Sequence, residues 1–244
     1  MKSHTLYSEG DHQWIMFGRD ASKQDRIIDT NQYAIISQGK AILLDPGGIE
    51  LFAPMLAGIV KHFSLDQIEH LFASHQDPDI ISSLGLWDQL LDNVTLHSPW
   101  IWEGFIRHFG MQNTTYRALP DDGDTLSLGG IELHFIPAHY LHSSGNFNVY
   151  DPKAKILFSG DLGAALESVD APLFVEDFDA HIDKMKYFHQ RWMPSERAKQ
   201  NWIARVRDLD VDYMAPQHGR LFTREAFHQF LDWFSDLKIG IAVP

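Results

Sequence analysis

SHQDPDI, residues 74–80, is the stretch on which the reading of this chain turns. It follows the apolar run HLFAS (70–74) and precedes the helix-like ISSLGLWDQLL (81–91), so it occupies a strand-to-helix loop. His75, Asp77 and Asp79 are spaced by two. In an extended segment alternate side chains share a face, and Pro78 biases Asp77 toward extended backbone. Three metal-capable groups can therefore converge on one point. The plainer alternative is a loop whose aspartates cap the following helix; Asp79 could do that alone, but this would leave His75 and Asp77 without a role.

Three further stretches end in the same way. PAHYLHSSGN (137–146) carries His139 and His142 after the strand IELHFIPA; ILFSGD ends in Asp161; YMAPQHG ends in His218. In each, an apolar strand delivers a metal-capable side chain at its carboxyl end, where α/β folds place their sites. One such residue would be unremarkable, whereas four in order along one chain form a pattern.

The rest of the chain reads as alternating strands and helices. YAIIS (33–37) with AILLD (41–45), DTLSLGGIELHFIPA (124–138) about Gly129-Gly130, and FNVYDPKAKILFSGD (147–161) about Asp151-Pro152 read as hairpins. Helices are expected over 51–63, with Pro54 near the first turn, and over 81–91, 178–192, 195–208 and 223–236, with a strand at 212–216. Linkers, repeats and low-complexity tracts are absent, so residues 1–244 are expected to form a single α/β domain that is not purely parallel.

Composition narrows the function classes. The chain has 244 residues, a net charge of −13 and 44% hydrophobic residues; this is globular, long enough to bury a full core, and too acidic for a general nucleic-acid binder. Cysteine is absent, which excludes disulfides, thiolate metal sites and a cysteine nucleophile. The N-terminus lacks an apolar core of signal-peptide length and no stretch reaches that of a membrane helix, so a soluble cytoplasmic protein is expected. No G-x-S-x-G, G-x-x-x-x-G-K-[ST] or G-x-G-x-x-G occurs, leaving the histidines and carboxylates to carry the chemistry. Seven acids and no base lie within 160–183, and seven bases against Glu196 alone within 184–207; these read as two solvated surfaces.

The order His-x-Asp-x-Asp, His, Asp, His resembles the metallo-β-lactamase superfamily, supported by AILLDPGG (41–48), DDGDTLSLGG (121–130) and YDPKAKILFSGD (150–161). The resemblance implies a four-layer αββα sandwich. Superfamily hydrolases carry H-x-H-x-D-H in the first motif; here Asp77 stands at the second histidine and Ile80 at the last. The pattern is more similar to the di-iron domain of flavodiiron proteins, with H-x-E-x-D, and HQDPDI with LHSSGNF resembles the stand-alone oxygen-binding di-iron proteins of that group.

Seven residues (143–149) separate His142 from Tyr150-Asp151-Pro152, as in the hydrolase pattern, and Leu141-His142 matches the flavodiiron L-H-x-P. The resemblance thus implies His142 as ligand, with His139 structural or behind the ligands. It assigns His75, Asp77 and His142 to one iron, Asp79 and His218 to the other, and Asp161 to a bridge; zinc or manganese are the alternative metals. Ile80 leaves the second ion one ligand short, an opening for a small molecule. The implied function is O2 binding, as a sensor or as an oxidoreductase acting on O2 or NO with an external donor; the alternative is a zinc hydrolase of thioesterase or lactonase type. The length leaves no room for an FMN domain, which favours sensing. A signalling or redox protein and a second copy of the chain are the partners considered. The other histidines, and the Trp and Phe residues, read as structural, with His181 and Tyr140 the nearest candidates for a supporting role.

Overall fold

The structure is a computed structural model, and it describes residues 1–18, 28–168 and 170–243. Strands β1 (Lys2–Glu9), β2 (His12–Gly18), β3 (Gln32–Ser37), β4 (Lys40–Leu44), β5 (Ile68–Phe72), β6 (Thr95–Pro99) and β7 (Thr115–Leu119) form one sheet in sequence order. The pairs from β1 to β4 are antiparallel and those from β4 to β7 parallel. Strands β8 (Asp124–Leu128), β9 (Ile131–Pro137), β10 (Phe147–Asp151), β11 (Ile156–Gly160), β12 (Tyr213–Pro216) and β13 (Phe222–Thr223) form the second sheet, antiparallel except for the parallel β11–β12 pair.

Period-two alternation explains how two sheets and two helical layers share one core. In β3, Tyr33 and Ile35 point between the sheets, while Ala34 and Ile36 point outward to the cluster formed with α1 (Phe52–Ile59), α2 (Pro78–Ile81), α3 (Leu84–Leu90) and α4 (Glu103–Ile106). In β11, Ile156 and Phe158 face the first sheet, and Leu157 faces α5 (Phe178–Trp192), α6 (Glu196–Val206) and α7 (Arg224–Asp236). Strands buried on both faces read as continuous apolar runs, as AILL and ILFS do. The result is helices, sheet, sheet, helices: the αββα sandwich.

The three hairpins and the helices at 178–192, 195–208 and 223–236 form where the sequence places them, within a residue or two. Three expectations need correction. The helix expected over 51–63 ends at Ile59 and gives way to turns before β5. The helix expected over 81–91 forms only as α3 (Leu84–Leu90); a separate helical turn, α2, takes up Pro78–Ile81, and between them the Ser83 hydroxyl donates to Gly47 O at 2.6 Å and ties the segment to the DPGG loop. The charge-segregated stretch is also not wholly solvated. Lys199 is 1% exposed, because its ammonium donates to Leu237 O at 2.6 Å and pairs with Glu196 at 2.7 Å. The hairpin β1–β2 and strands β6, β7 and β13 were not anticipated.

The sheets are also joined by polar ties. Trp14 Nε1 donates to Asp151 at 2.7 Å, with His12 2.8 Å from the same oxygen. The Tyr33 hydroxyl donates to Pro216 O at 2.7 Å, and Asn31 Nδ2 donates to Pro216 O and Gly219 O. These last bonds fix the segment carrying His218.

Candidate metal centre

All six sequence-derived residues meet at the carboxyl ends of β5, β9, β11 and β12. Asp161, 3% exposed, lies at the centre. Its Oδ2 is 3.6 Å from His75 Nε2 and 3.5 Å from His142 Nε2, while its Oδ1 is 3.4 Å from His218 Nε2. Asp77 Oδ2 is 2.9 Å from His142 Nε2 and 3.6 Å from His75 Nε2; Asp79 Oδ2 is 3.4 Å from His218 Nε2. The cluster therefore has two halves sharing one carboxylate. His75, Asp77, His142 and Asp161 offer donor atoms all within 4.8 Å of one another, and Asp79 with His218 extends from the other oxygen.

The local geometry differs from the extended run expected of 75–79. Asp77 is extended (φ −69°, ψ 144°) and occupies the N-cap position of α2, but its side chain makes no capping bond; Pro78 starts the helix. Asp79 thus projects from a helical turn, which is why it reaches His218 instead of the His75 group. Neither aspartate caps the helix with its side chain, so both carboxylates are free for the cluster.

Each imidazole is aimed by its surroundings. His75 Nδ1 donates to the Ser74 hydroxyl at 2.9 Å, and that hydroxyl donates to Asp45 Oδ2 at 2.6 Å. Asp45 Oδ1 also accepts from Ser74 N at 2.7 Å. This chain fixes the tautomer and leaves Nε2 facing the carboxylates, an outer-shell arrangement that orients metal-binding histidines. Nothing in the sequence marks Asp45 as part of the site; AILLDPGG reads only as a landmark of the superfamily resemblance. His218 Nδ1 donates to Asp29 O at 2.9 Å, again leaving Nε2 toward the cluster. Gly219 follows at φ +84°, where a Cβ would lie 2.7 Å from Ala165 O, so the turn after His218 requires glycine.

His142 sits in a strained loop. Tyr140 and His142 have φ of +62° and +67°, a left-handed conformation that costs non-glycine residues energy. The loop is held by Tyr140 N to Ser143 O (2.7 Å), Leu141 N to Ala138 O (3.0 Å) and Asn146 Nδ2 to Leu141 O (2.6 Å). His139 points elsewhere: its Nε2 donates to Asp121 O at 3.0 Å. His181 is buried 3.9 Å from Glu167 and is not part of the cluster; Tyr140 is 54% exposed. The aromatics are mostly core, but Phe188 and Trp192 correct that reading. They stack on each other and pack against the His142 ring at 5.8 and 5.2 Å between centroids. Trp192 is 54% exposed, so these rings form a wall at the mouth of the site.

Electrostatics ask for cations. Burial pushes His75 down, but the Asp161 and Asp77 carboxylates overrule it and hold the imidazole up at about 9. Burial likewise lowers His218, and Asp161 and Asp79 raise it to about 9. Asp161 would be raised by burial, yet the surrounding imidazoles bring it to about 2. Burial raises Asp79, opposed by His218, and raises Asp45 to about 7. Asp161 Oδ1 is buried with no hydrogen-bond partner. Separations of 3.4–3.6 Å are long for hydrogen bonds. They match two donors each about 2.1 Å from a shared ion, which stand roughly 3.0–3.5 Å apart. The donor set thus fits two cations, which would take over the role that protons on the imidazoles otherwise play.

Two facing mixed sheets between helical layers, with a His/Asp cluster at the strand ends, define a metallo-β-lactamase-like domain. The chain belongs to the family described as ODP family beta lactamase, whose model matches residues 28–219. It is similar to the peroxy diiron species of the chemotaxis sensor ODP, with 36% identity and a TM-score of 0.88 over 100% of this chain and 98% of that one. The apo state of the chemotaxis sensor ODP from T. denticola gives 36% and 0.86 over 99% and 97%. The flavodiiron protein from Giardia intestinalis shares the fold, at 19% identity and a TM-score of 0.81 over 95% of this chain and 58% of that one. Among curated sequences, Diflavin flavoprotein A 1 of Synechocystis is 25% identical over 189 residues, 75% of this chain and 32% of that protein. An uncharacterized Methanocaldococcus jannaschii protein is 26% identical over 215 residues, 83% and 52%. The chain spans about a third to a half of the length of the curated relatives it matches. No helix among the described residues is long and apolar enough to cross a membrane.

Proposed function

We propose that residues 1–244 act as one domain that holds two iron ions and binds O2, as an oxygen sensor or oxygen-binding protein. The observation that carries this is Asp161, whose two oxygens face two separate sets of donors. In this reading His75, Asp77 and His142 hold one ion, Asp79 and His218 the other, and Asp161 lies between them. Similarity to the chemotaxis sensor ODP over nearly the whole of both chains supports iron and O2 over zinc and an ester. Two ferrous ions would supply the electrons for O2 binding.

The remaining contributions come from the protein. Asp45 and Ser74 orient His75, and the Asp29 carbonyl orients His218. Ile80 stands where hydrolase relatives place a histidine and is buried, so this position would offer a second ion no ligand and would leave room for a small molecule. Phe188 and Trp192 place apolar rings against the His142 side. A change at the centre would pass through the loop bearing His142 to a signalling or redox partner, or to a second copy of the chain.

The test is anaerobic loading with ferrous iron, followed by air, with iron counted per chain and optical spectra recorded. Two irons and an oxygen-dependent near-ultraviolet to visible band are expected, and Asp161→Ala should lose both ions. Two zincs with ester turnover, or loss of only one ion in Asp161→Ala, would overturn the assignment.

A further inference from the structure

A second site lies behind the His142 loop. Between α6 and residues 137–140 there is a cavity of about 350 Å3, within the size range of small-molecule sites. Arg197, Asn201 and Arg205 line it from α6; His139 and Tyr140 line it from the loop. The three α6 residues are spaced by four, so they form one stripe along the helix. Neither guanidinium takes part in an ion pair or a hydrogen bond within the protein among the described residues, unlike those of Arg207, Arg220 and Arg224, which are all bound to carboxylates.

Among the described residues lining the cavity Asp121 is the one acid; it is exposed at the rim, and one of its oxygens accepts from Trp100 Nε1 at 2.8 Å. On the adjoining rim, which Arg205 also lines, Asp124 is paired with Arg117 at 2.8 Å and Asp122 is exposed to solvent. His139 is committed through both nitrogens, to Asp121 O and Asn146 N. The cavity thus presents two guanidiniums without a protein partner, a carboxamide and a phenol, against one exposed carboxylate at its rim.

We propose that this cavity binds a small organic anion carrying acidic groups at both ends. Arg197 and Arg205 are eight residues apart, roughly 12 Å along the axis; an elongated or multiply charged anion can engage both, with Asn201 and Tyr140 meeting its middle. Guanidinium geometry suits carboxylate and phosphate alike. Tyr140 and His142 belong to one tightly hydrogen-bonded loop with both residues at positive φ. An occupant touching Tyr140 therefore acts on the segment that carries His142, coupling the cavity to the centre described above.

The site itself does not depend on the iron reading, and its test uses metal-free protein. Binding of tripolyphosphate and of suberate is measured by calorimetry, and the Tyr140–Ser143 amide signals are followed by NMR. Saturable binding of one probe with a Kd below about 1 mM is expected, and the preferred probe identifies phosphate or carboxylate as the ligand chemistry. It should weaken at least roughly tenfold in Arg197→Ala/Arg205→Ala, as loss of charge-assisted hydrogen bonds implies. Asn201→Ala should weaken it less, and the loop amides should shift on saturation. No saturable binding of either probe, or equal binding by the double variant, overturns the site. Binding with unmoved Tyr140–Ser143 amides overturns the coupling.

Discussion

His189 makes the fold acid-sensitive in a way that can be isolated. Its ring is fully buried among Phe188, Phe230, Trp233 and Phe234. Nδ1 donates to Met185 O at 2.8 Å, so Nε2 is the acceptor, and it takes the Gly163 N–H at 3.0 Å. A proton on Nε2 would break that bond and place a charge in an apolar pocket. Burial accordingly lowers His189 from 6.5 to about 4. The neutral form is favoured in the folded state, so the unfolded chain binds more protons between those values. Stability is complete above about pH 6.5, falls as pH drops through the window, and levels off below about 4. The full loss is about 3 kcal/mol, and between pH 7.5 and 5.5 it is about 1.3 kcal/mol. Urea unfolding of wild type and His189→Gln in EDTA at these two pH values measures it. The variant keeps an acceptor and a donor but does not titrate. Wild type is expected to be the more stable at pH 7.5, and its advantage to shrink by about 1.3 kcal/mol at pH 5.5. Other titrating groups are common to both proteins and cancel in the difference. Parallel pH dependence of the two proteins would refute the argument.

Asp45→Asn should lower iron affinity about 10–100-fold, since an amide cannot accept from both Ser74 N and the Ser74 hydroxyl, and His75 loses its orientation; competition with a chromophoric chelator reads this out. Gly85→Ala places a Cβ 1.9 Å from Phe109 O, a backbone atom that cannot yield cheaply. The expected cost is about 3 kcal/mol or more, lowering Tm by roughly 6–12 °C in a chain of this size; an unchanged Tm would contradict the close packing of α3. Removing metal should lower Tm at neutral pH, because ions that bind only the folded state at 1,000 times their Kd add about 4 kcal/mol each; a Tm indifferent to chelation counts against a built site.

Elements with a strong local signal were legible in the sequence. The hairpins at 33–44, 124–137 and 147–160 combine apolar runs with turn residues, and the long helices combine amphipathic spacing with capping Asp177, Ser195 and Thr223. The β1–β2 hairpin lacked such a signal: β1 is largely exposed and mixed in character, and it is defined by pairing with β2 across Gly10. Strands β6 and β7 are five residues each and exist through parallel neighbours distant in sequence. The six cluster residues stood out because each follows an apolar strand, and a sheet end is a place that topology alone brings together. Residues that act by contact across the fold left no comparable mark. Asp45 was one landmark among several, His189 one histidine among many, and Trp192 one more aromatic on an amphipathic helix.

Those unmarked residues share a location. His189 holds Gly163, two residues beyond Asp161; Phe188, beside it in the chain, packs with Trp192 against His142. Helix α5 therefore touches two of the strand ends that build the cluster, and its position depends on the same buried stripe of His181, Met185 and His189. A movement of the Asp161 or His142 segment must be accommodated by α5, and the C-terminal half of α5 carries the exposed bases Lys184, Lys186 and Arg191 with no acid among them. If the proposed centre signals, this helix is the physical route from buried cluster to exposed charge, and substitutions at Phe188 or His189 should alter the response to oxygen with all six proposed ligands intact.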